Sequence, residues 1–592
     1  MEKKRKNMMI NQLIGFAITM VLIIVVNIIG NYVFKRFDLT SEKRYTLSET
    51  TINTLKGLDD YVHFKVYLEG DFPAGFKKLR RETKEMLDEF RAYSKYISYE
   101  FINPSESSSI SERNETYKIL YQSGLNPTEL SVDSKEGKTQ MVIWPGALVS
   151  YRNDTELPIE LLEDQKMRSA EETLNVSMQN LEYKLIDGVI RVTQVEKRTV
   201  AFIEGHGELT QREVQDITQT LQKNYDVHRL EIDGKVNALL RRSEVVNDEP
   251  SKIYTNYDAI IIAKPTLPFS EKDKFLIDQY IMHGGKVLWL IDPIVASMDS
   301  LQYSESTMGV ELDLNLDDML FKYGLKINKN LLLDLNCALI PVRSGQVAGQ
   351  AQLEYFRWFY FPLLQSASNH PMVRNLNPIK GDFVSSIEAT TSNMGINQIP
   401  LLKTSNYTKI SGSPVFITLS MLKQTPDQRM FSQRSQNVAY LLKGTFPSLY
   451  ANRITQDIMS DKDLGFLEES SPTAMIVIAD GDMIRNQFGI PRGEVLPLGY
   501  DQFTNNTYGN KEFLLNAISY LVDGEGLINI RSRELKIRLL NATRINKERV
   551  LWQVVNTLVP VSIVLIFGLI FSIIRKRRYG IKNKQKLKAR NK

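Results

Sequence analysis

Residues 257–293 read YDAIIIAKPTLPFSEKDKFLIDQYIMHGGKVLWLIDP, and this stretch decides the fold. Ala259–Ala263 is an unbroken apolar run that stops at the turn Lys264-Pro265. Ser270 stands where it can cap a helix reaching about Met282, and Gly284-Gly285 ends that helix. A second apolar run, Lys286–Ile291, closes at Asp292-Pro293. Near-continuous apolar strands alternating with helices signal a parallel sheet covered on both faces.

The pattern extends in both directions. Upstream, the strand Arg198–Glu204 (RTVAFIE) runs straight into Gly205-His206-Gly207-Glu208. A helix is predicted from Thr210 to Lys223, with Glu213 at capping-box spacing from Thr210, followed by the strand Tyr225–Ile232. Downstream come a short amphipathic helix, Leu314–Tyr323, and a strand, Leu331–Leu335. A polar, glycine-bearing loop is expected at Arg343–Gln352, before an aromatic run from Tyr355 to Phe361 that reads as core. Residues 369–443 read as β-rich. Ala474–Ala479 is another parallel-type strand, ending in Asp480-Gly481-Asp482. Two acids are too few for a calcium loop, so a cap or turn is expected there. A helix over Lys511–Val522 packs back, and Ile528–Leu540 leads towards the end of the chain.

Ahead of Arg198 the order differs. An amphipathic stretch at Glu49–Leu58 precedes a strand at Val62–Leu68, a helix near Gly75–Tyr96 and a strand at Ser98–Ile102. The serine-rich stretch Ser105–Ser111 reads as a loop. A helix at Glu112–Ser123, strands at Gln140–Trp144 and Gly146–Tyr151, and one long helix at Ala170–Val192 complete the set. This β-α-β-α-β-β-α order matches a thioredoxin-like arrangement. The redox chemistry of that fold needs a reactive thiolate, yet the chain has one cysteine, Cys337. The expected fold class is therefore α/β: a thioredoxin-like N-terminal domain and a flavodoxin- or amidotransferase-like parallel-sheet domain.

Two further runs are apolar enough for a bilayer, which takes about 20 residues to cross. The first spans 10–34; it is longer than a signal-peptide core, and no small-x-small cleavage site follows it. The second spans 554–574 without a charge, with Trp552 at its outer edge. Bases flank both runs: Lys3, Lys4, Arg5 and Lys6 at one end, ten Lys or Arg after Ile574 at the other. By the positive-inside rule both ends are cytoplasmic and the bulk lies outside. The expected layout is a basic N-terminus (1–9), a membrane helix (10–34), a thioredoxin-like domain (35–195) and a parallel-sheet domain with a β-rich insertion (196–530). A linker (531–553), a second membrane helix (554–574) and a basic tail (575–592) follow.

Over 592 residues the net charge is +5, but the ends mislead the average. Without their 14 bases and one acid, 60 bases face 68 acids, which argues against nucleic acid as a partner. There is no P-loop, no H-E-x-x-H and no G-x-S-x-G. No cofactor is implied, and neither membrane helix carries an ionisable residue to mark a conduction path.

In parallel sheets, ligands bind at the carboxyl ends of the strands. Gly205, His206, Gly207, Glu208, Lys264 and Asp292 all fall there and form the candidate ligand or partner cluster. One reading makes His206 a general base of a hydrolase- or amidotransferase-like envelope enzyme, but no nucleophile has the strand–elbow–helix setting. The other reading is structural: the glycines allow a tight turn that His206 and Glu208 fix.

Several long segments in order carry a family resemblance. They include RFDLTSEKRYTLS (36–48), VAFIEGHGE (200–208), the stretch quoted first, NLDDMLFKYGLKINKNLLLDLNC (315–337) and YGNKEFLLNAISYLVDGEGLINIRSRELKIRLLN (508–541). With these the chain resembles the gliding-motility-associated ABC-transporter proteins of the GldG type, over almost its whole length. The resemblance implies a non-enzymatic inner-membrane auxiliary subunit working with a multi-span permease and a separate cytoplasmic P-loop ATPase, in two copies per complex. It carries no catalytic residues over. A free-standing envelope scaffold is the remaining alternative.

Overall fold

A computed structural model describes residues 13–25, 46–134, 137–152, 156–162, 170–194, 197–242, 252–347, 350–374, 376–390, 395–423, 426–451, 453, 465–531 and 542–588. The chain divides into two units, Met1–Arg533 and Glu534–Lys592. In the first, an apolar helix α1 (Leu13–Val25) falls within the expected span 10–34, whose remainder lies outside the described residues, as do the N-terminal bases.

A four-stranded sheet comes next. Ser48 caps α2 (Glu49–Lys56), which leads into β1 (Val62–Val66). Alternate residues Val62, Phe64 and Val66 are fully buried, as period-two patterning requires. Helix α3 (Ala74–Tyr93) lays Phe76, Leu79, Leu87 and Phe90 into the same core and leads to β2 (Ile97–Phe101). After α4 (Ile110–Gln122), the strands β3 (Thr128–Ser134) and β4 (Gly137–Ile143) form a hairpin of their own. Then β5 (Gly146–Tyr151) and β6 (Leu157–Glu160) complete the sheet in the order β2-β1-β5-β6. β1 and β2 are parallel and the other two pairings antiparallel.

Here the sequence reading needs two corrections. The strand expected at Gln140–Trp144 belongs to the separate hairpin, and the fourth place is taken by β6, whose short LPIE segment carries the proline typical of an edge. The single helix expected at Ala170–Val192 is two, α5 (Ala170–Gln179) and α6 (Leu181–Thr193). Asn180 separates them at φ −89°, ψ 2°; asparagine competes poorly for helix interiors.

The larger sheet is built on β7 (Thr199–Glu204), α7 (Gln215–Gln222), β8 (Asp226–Glu231), β9 (Ala259–Ala263), α8 (Glu271–Met282) and β10 (Val287–Leu290). To these it adds β11 (Cys337–Val347), β12 (Gln350–Ser366), β13 (Ile396–Lys403), β14 (Asn437–Gly444) and β15 (Thr473–Ile478). The strand order is β11-β12-β13-β14-β15-β10-β9-β7-β8, with Ile379–Lys380 pairing beside β12. The five strands from β8 to β15 are parallel. The others run antiparallel, so the sheet is mixed and the expected β-rich insertion extends it.

Both faces of the parallel half are buried. Val200, Phe202, Ile261, Leu288 and Ile476 face one core with α7 and a late helix, α9 (Asn510–Asp523). Ala201, Ile203, Ile260, Trp289 and Val477 face the other with α8. Each fully buried Ile, Val or Phe contributes roughly 1.5–3 kcal/mol. The loop expected at Arg343–Gln352 is instead the far end of the β11–β12 hairpin. The stretch is polar and carries Gly345 and Gly349, so composition hid the strands. The helix expected from Thr210 starts only at Gln215. The Glu213 carboxylate does accept from Thr210 N at 2.9 Å, but that pairing closes a turn ahead of the helix.

α9 ends at Gly524, and a short helix α10 (Glu525–Arg531) follows. In the second unit, α11 (Ala542–Lys588) is one helix of 47 residues. Its apolar span, Glu548–Arg577, has an apolar stretch with nothing buried and is, among the described residues, the one helix long and apolar enough to cross a membrane. At about 1.5 Å per residue α11 is roughly 70 Å long, against a hydrocarbon core of about 30 Å. The expected linker 531–553 is therefore helical from Ala542 onward, while 532–541 lies outside the described residues.

Candidate functional site

In chain order the parallel strands β7, β8, β9, β10 and β15 lie as 2-1-3-4-5. The connections diverge between β7 and β9, and that switch point is where open α/β sheets bind ligands. The six residues singled out from the sequence do gather at these strand ends. They form two clusters, not one.

The first cluster follows β7. Gly205 and Gly207 have φ of 111° and 70°, which glycine adopts at no steric cost. A Cβ on Gly207 would sit 2.1 Å from Thr266 Oγ1. That closeness lets Thr266 N and Leu267 N donate to His206 O at 2.8 and 2.9 Å, lacing the loop after β7 to the loop after β9. The His206 ring is buried and stacks on Phe269 with centroids 3.8 Å apart. Its Nδ1 lies 3.3 Å from Glu208 Oε1 and its Nε2 3.3 Å from Asp273 Oδ2. Burial works against the imidazolium, but the hydrogen bonds and charges of Glu208 and Asp273 outweigh it, so the His206 pKa is raised. Both ring nitrogens are engaged. A general base needs a free nitrogen within reach of a substrate proton, and this ring offers none.

The second cluster spans β9, β10 and β15. Lys264, at φ 54°, turns its ammonium onto the Asp482 carboxylate and lies 3.4 Å from Asp292 Oδ2. Asp292 also accepts from Gly481 N. Asp480 accepts from Asp482 N and from Asp382 N, both at 3.0 Å. Lys380 Nζ sits 2.8 Å from Asp382, and Arg485 reaches Glu213 at 3.1 Å and Asp482 at 3.6 Å. Burial pushes the Asp292 carboxyl up to about 6, with the Asp482 charge adding to the effect and Lys264 opposing it. Asp480 is raised by burial and then by its three aspartate neighbours.

This network leaves little room. The adjoining cavity, lined in part by Lys380, Asp382, Asp482 and Arg485, measures about 40 Å³. That accommodates on the order of one to three waters, not a substrate. The segment after β15 is also stitched across the start of α7: Asn486 N donates to Glu213 O at 2.7 Å, Arg212 to Gly493 O at 2.6 Å, and Leu498 N to Asp216 at 3.0 Å. Among the described residues no group of three His, Cys, Asp or Glu side chains is arranged to hold a metal ion.

The sequence missed Asp273, although its place three residues after the capping Ser270 was a usable signal. It read Asp480-Gly481-Asp482 as a cap or turn, and Asp480 does accept from Asp482 N ahead of a short helical turn at Asp482–Ile484, but it did not see that this segment faces Lys264 and Asp292. Nothing in the sequence pointed to Lys380 or Asp382.

A family model described as an ABC-type uncharacterized transport system matches residues 197–517. That is more than half of the chain, and the chain belongs to this family of ABC transport auxiliary proteins. A second model, a domain of unknown function, matches residues 41–150. An uncharacterized protein of Borreliella burgdorferi is 20% identical over 97% of this chain and 99% of its own length. A solved structure described as the mmIFT52 N-terminal domain aligns over 55% of this chain and 98% of its own length, with a TM-score of 0.29 and 13% identity.

Proposed function

We propose that this chain is a non-enzymatic auxiliary subunit of an inner-membrane ABC transport complex of the gliding-motility type. A membrane helix near each end anchors it, with both termini cytoplasmic and the bulk periplasmic. Its partners are a multi-span permease and a cytoplasmic P-loop ATPase, two copies of the set forming the complex. The strand order β2-β1-β5-β6 supports a thioredoxin-like reading of the smaller sheet, and the parallel order 2-1-3-4-5 a flavodoxin-like reading of the larger.

One observation carries the non-enzymatic reading. The crevice that a catalytic relative would use is filled by the chain's own ion pairs, Lys264 with Asp292 and Asp482 and His206 with Glu208 and Asp273. A subunit with no open site there acts through its surface and its two tethers. Affinity purification of the full-length chain in mild detergent, read by mass spectrometry, is expected to recover a permease and an ATPase. Recovery of the chain alone overturns the reading in favour of a free-standing scaffold.

A further inference from the structure

The two ends of the described periplasmic region meet. α2 opens it and α10 closes it, yet they touch each other and both pack on α6. Leu47 and Leu55 from the opening end and Leu527 and Ile530 from the closing end share the core of the smaller sheet. Glu182 of α6 fastens the opening end: its Oε1 accepts from Ser48 N at 2.7 Å and from Thr51 Oγ1 at 2.8 Å.

α10 belongs to two cores at once. Ile528, between Leu527 and Ile530, is buried in the core of the larger sheet, and α10 also touches Pro371–Val373 of that body. Seven residues therefore bridge the two sheets, and ten residues later the chain is the long helix α11. The bridge is jointed. Gly524, between α9 and α10, has φ 80° and ψ −167°, a conformation open essentially to glycine alone, and no atom lies within 4 Å of where its Cβ would be. Docking sets three buried apolar side chains against the ordering of seven residues, two quantities of similar size. α9 is tied down far more heavily, with Phe513, Leu514, Ala517, Ile518, Tyr520 and Leu521 all buried.

We propose that α10 is a hinged strap: it swings about Gly524, and when the membrane segment that follows it is displaced it undocks from α2 and α6 and loosens the smaller sheet from the larger. The inference rests on the reading of this chain as a two-anchor membrane subunit, because only then does a pull on α11 reach α10.

A disulfide can hold the strap shut. A Cβ at Gly526 would lie 3.6 Å from Thr50 Cβ, inside the window of about 3.5–4.5 Å for bonded cysteines. The test uses the full-length chain in nanodiscs carrying Cys337→Ser, Thr50→Cys and Gly526→Cys, with hydrogen–deuterium exchange as the readout. In the wild type and in the reduced variant, amides of 525–531 are expected to exchange about tenfold faster than those of 510–523, the signature of local opening. Oxidation is expected to remove that difference. Equal protection of the two segments before oxidation overturns the proposal, as does failure of the pair to form a disulfide. Leu527→Ala, which weakens docking without a new bond, is expected to widen the difference; no change there also counts against the strap. This measurement needs no transport partner, so it separates failure of the strap from failure of the transport-complex reading, which the purification tests.

Discussion

The two charge clusters at the switch point both set a cation against two carboxylates and reach opposite balances. At His206 one cation lies between two carboxylates, and each carboxylate has its own backbone donor: Glu208 accepts from His206 N at 2.7 Å and Asp273 from Gly234 N at 2.9 Å. The Asp273 pKa is lowered despite its burial, and that of the His206 imidazole is raised. At Lys264 one ammonium answers Asp292 and Asp482 with Asp480 and Asp382 close behind, and there the Asp292, Asp480 and Asp382 carboxyls are raised. Residue type does not set the outcome. Depth, and the number of like charges sharing a donor, do.

The sharpest way to break the comparison is Lys264→Met. The side chain is 17% exposed and bridges two buried acids, so its loss leaves Asp292 and Asp482 facing each other. Removing one partner of a buried pair costs about 3–5 kcal/mol. Thermal unfolding of the full-length chain at pH 7 is expected to show that loss, and at pH 5 much of it should vanish as Asp292, raised to about 6, takes up a proton. A loss under about 1 kcal/mol, or one indifferent to pH, means the ammonium does not hold the network.

A milder probe separates the clusters by pH. Asp292 has a folded pKa of about 6 against an ordinary 3.8, so the folded state binds the extra proton and stability falls as pH rises from about 4 to 6. His206 is raised above its ordinary 6.5, so its stabilisation is complete below 6.5 and is lost as pH climbs through the raised value. The same sign thus operates in two windows. Against the wild-type melting curve, Asp292→Asn should flatten only the lower limb and His206→Gln only the upper. If either variant flattens both, the clusters titrate as one unit.

Much of this was legible in the sequence where local patterning decides. The run at Ala259–Ala263 is buried at the centre of the parallel half of the larger sheet, and Ser270 caps its helix as its position suggested. The strand ends holding His206 and Lys264 were also located from the alternation of apolar runs and glycine turns. What stayed hidden depends on distant pairing. Lys264 and Asp482 are 218 residues apart, and no spacing rule reaches that far. β3 and the far end of the β11–β12 hairpin escaped because TELSVDS and RSGQV are rich in polar residues, and composition alone reads such stretches as loop. The break at Asn180 reflects one side chain inside an otherwise helical pattern.

The smallest expected effect tests whether the His206 cluster reaches into the helix beside it. Two serines give the same sequence signal, a cap with an acid three residues on: Ser270 before α8 and Ser109 before α4. Ser109 Oγ accepts from Glu112 N at 3.5 Å on an exposed helix that buries only Leu120. Ser270 Oγ accepts from Asp273 N at 3.1 Å and also donates to Asp273 Oδ2 at 2.7 Å, the oxygen that faces His206 Nε2. Ser109→Ala removes a weak cap and should cost about 0.5 kcal/mol, the low end for such losses. Ser270→Ala removes a cap and one support of the His206 pair, and about 1–2 kcal/mol is expected. The two effects should also differ in kind. Without the serine hydroxyl, Asp273 leans harder on His206, so the upper limb of the pH–stability curve should move to higher pH in Ser270→Ala and stay put in Ser109→Ala. Equal losses and an unmoved limb reduce Ser270 to an ordinary cap and leave the histidine cluster isolated from the helix that supports it.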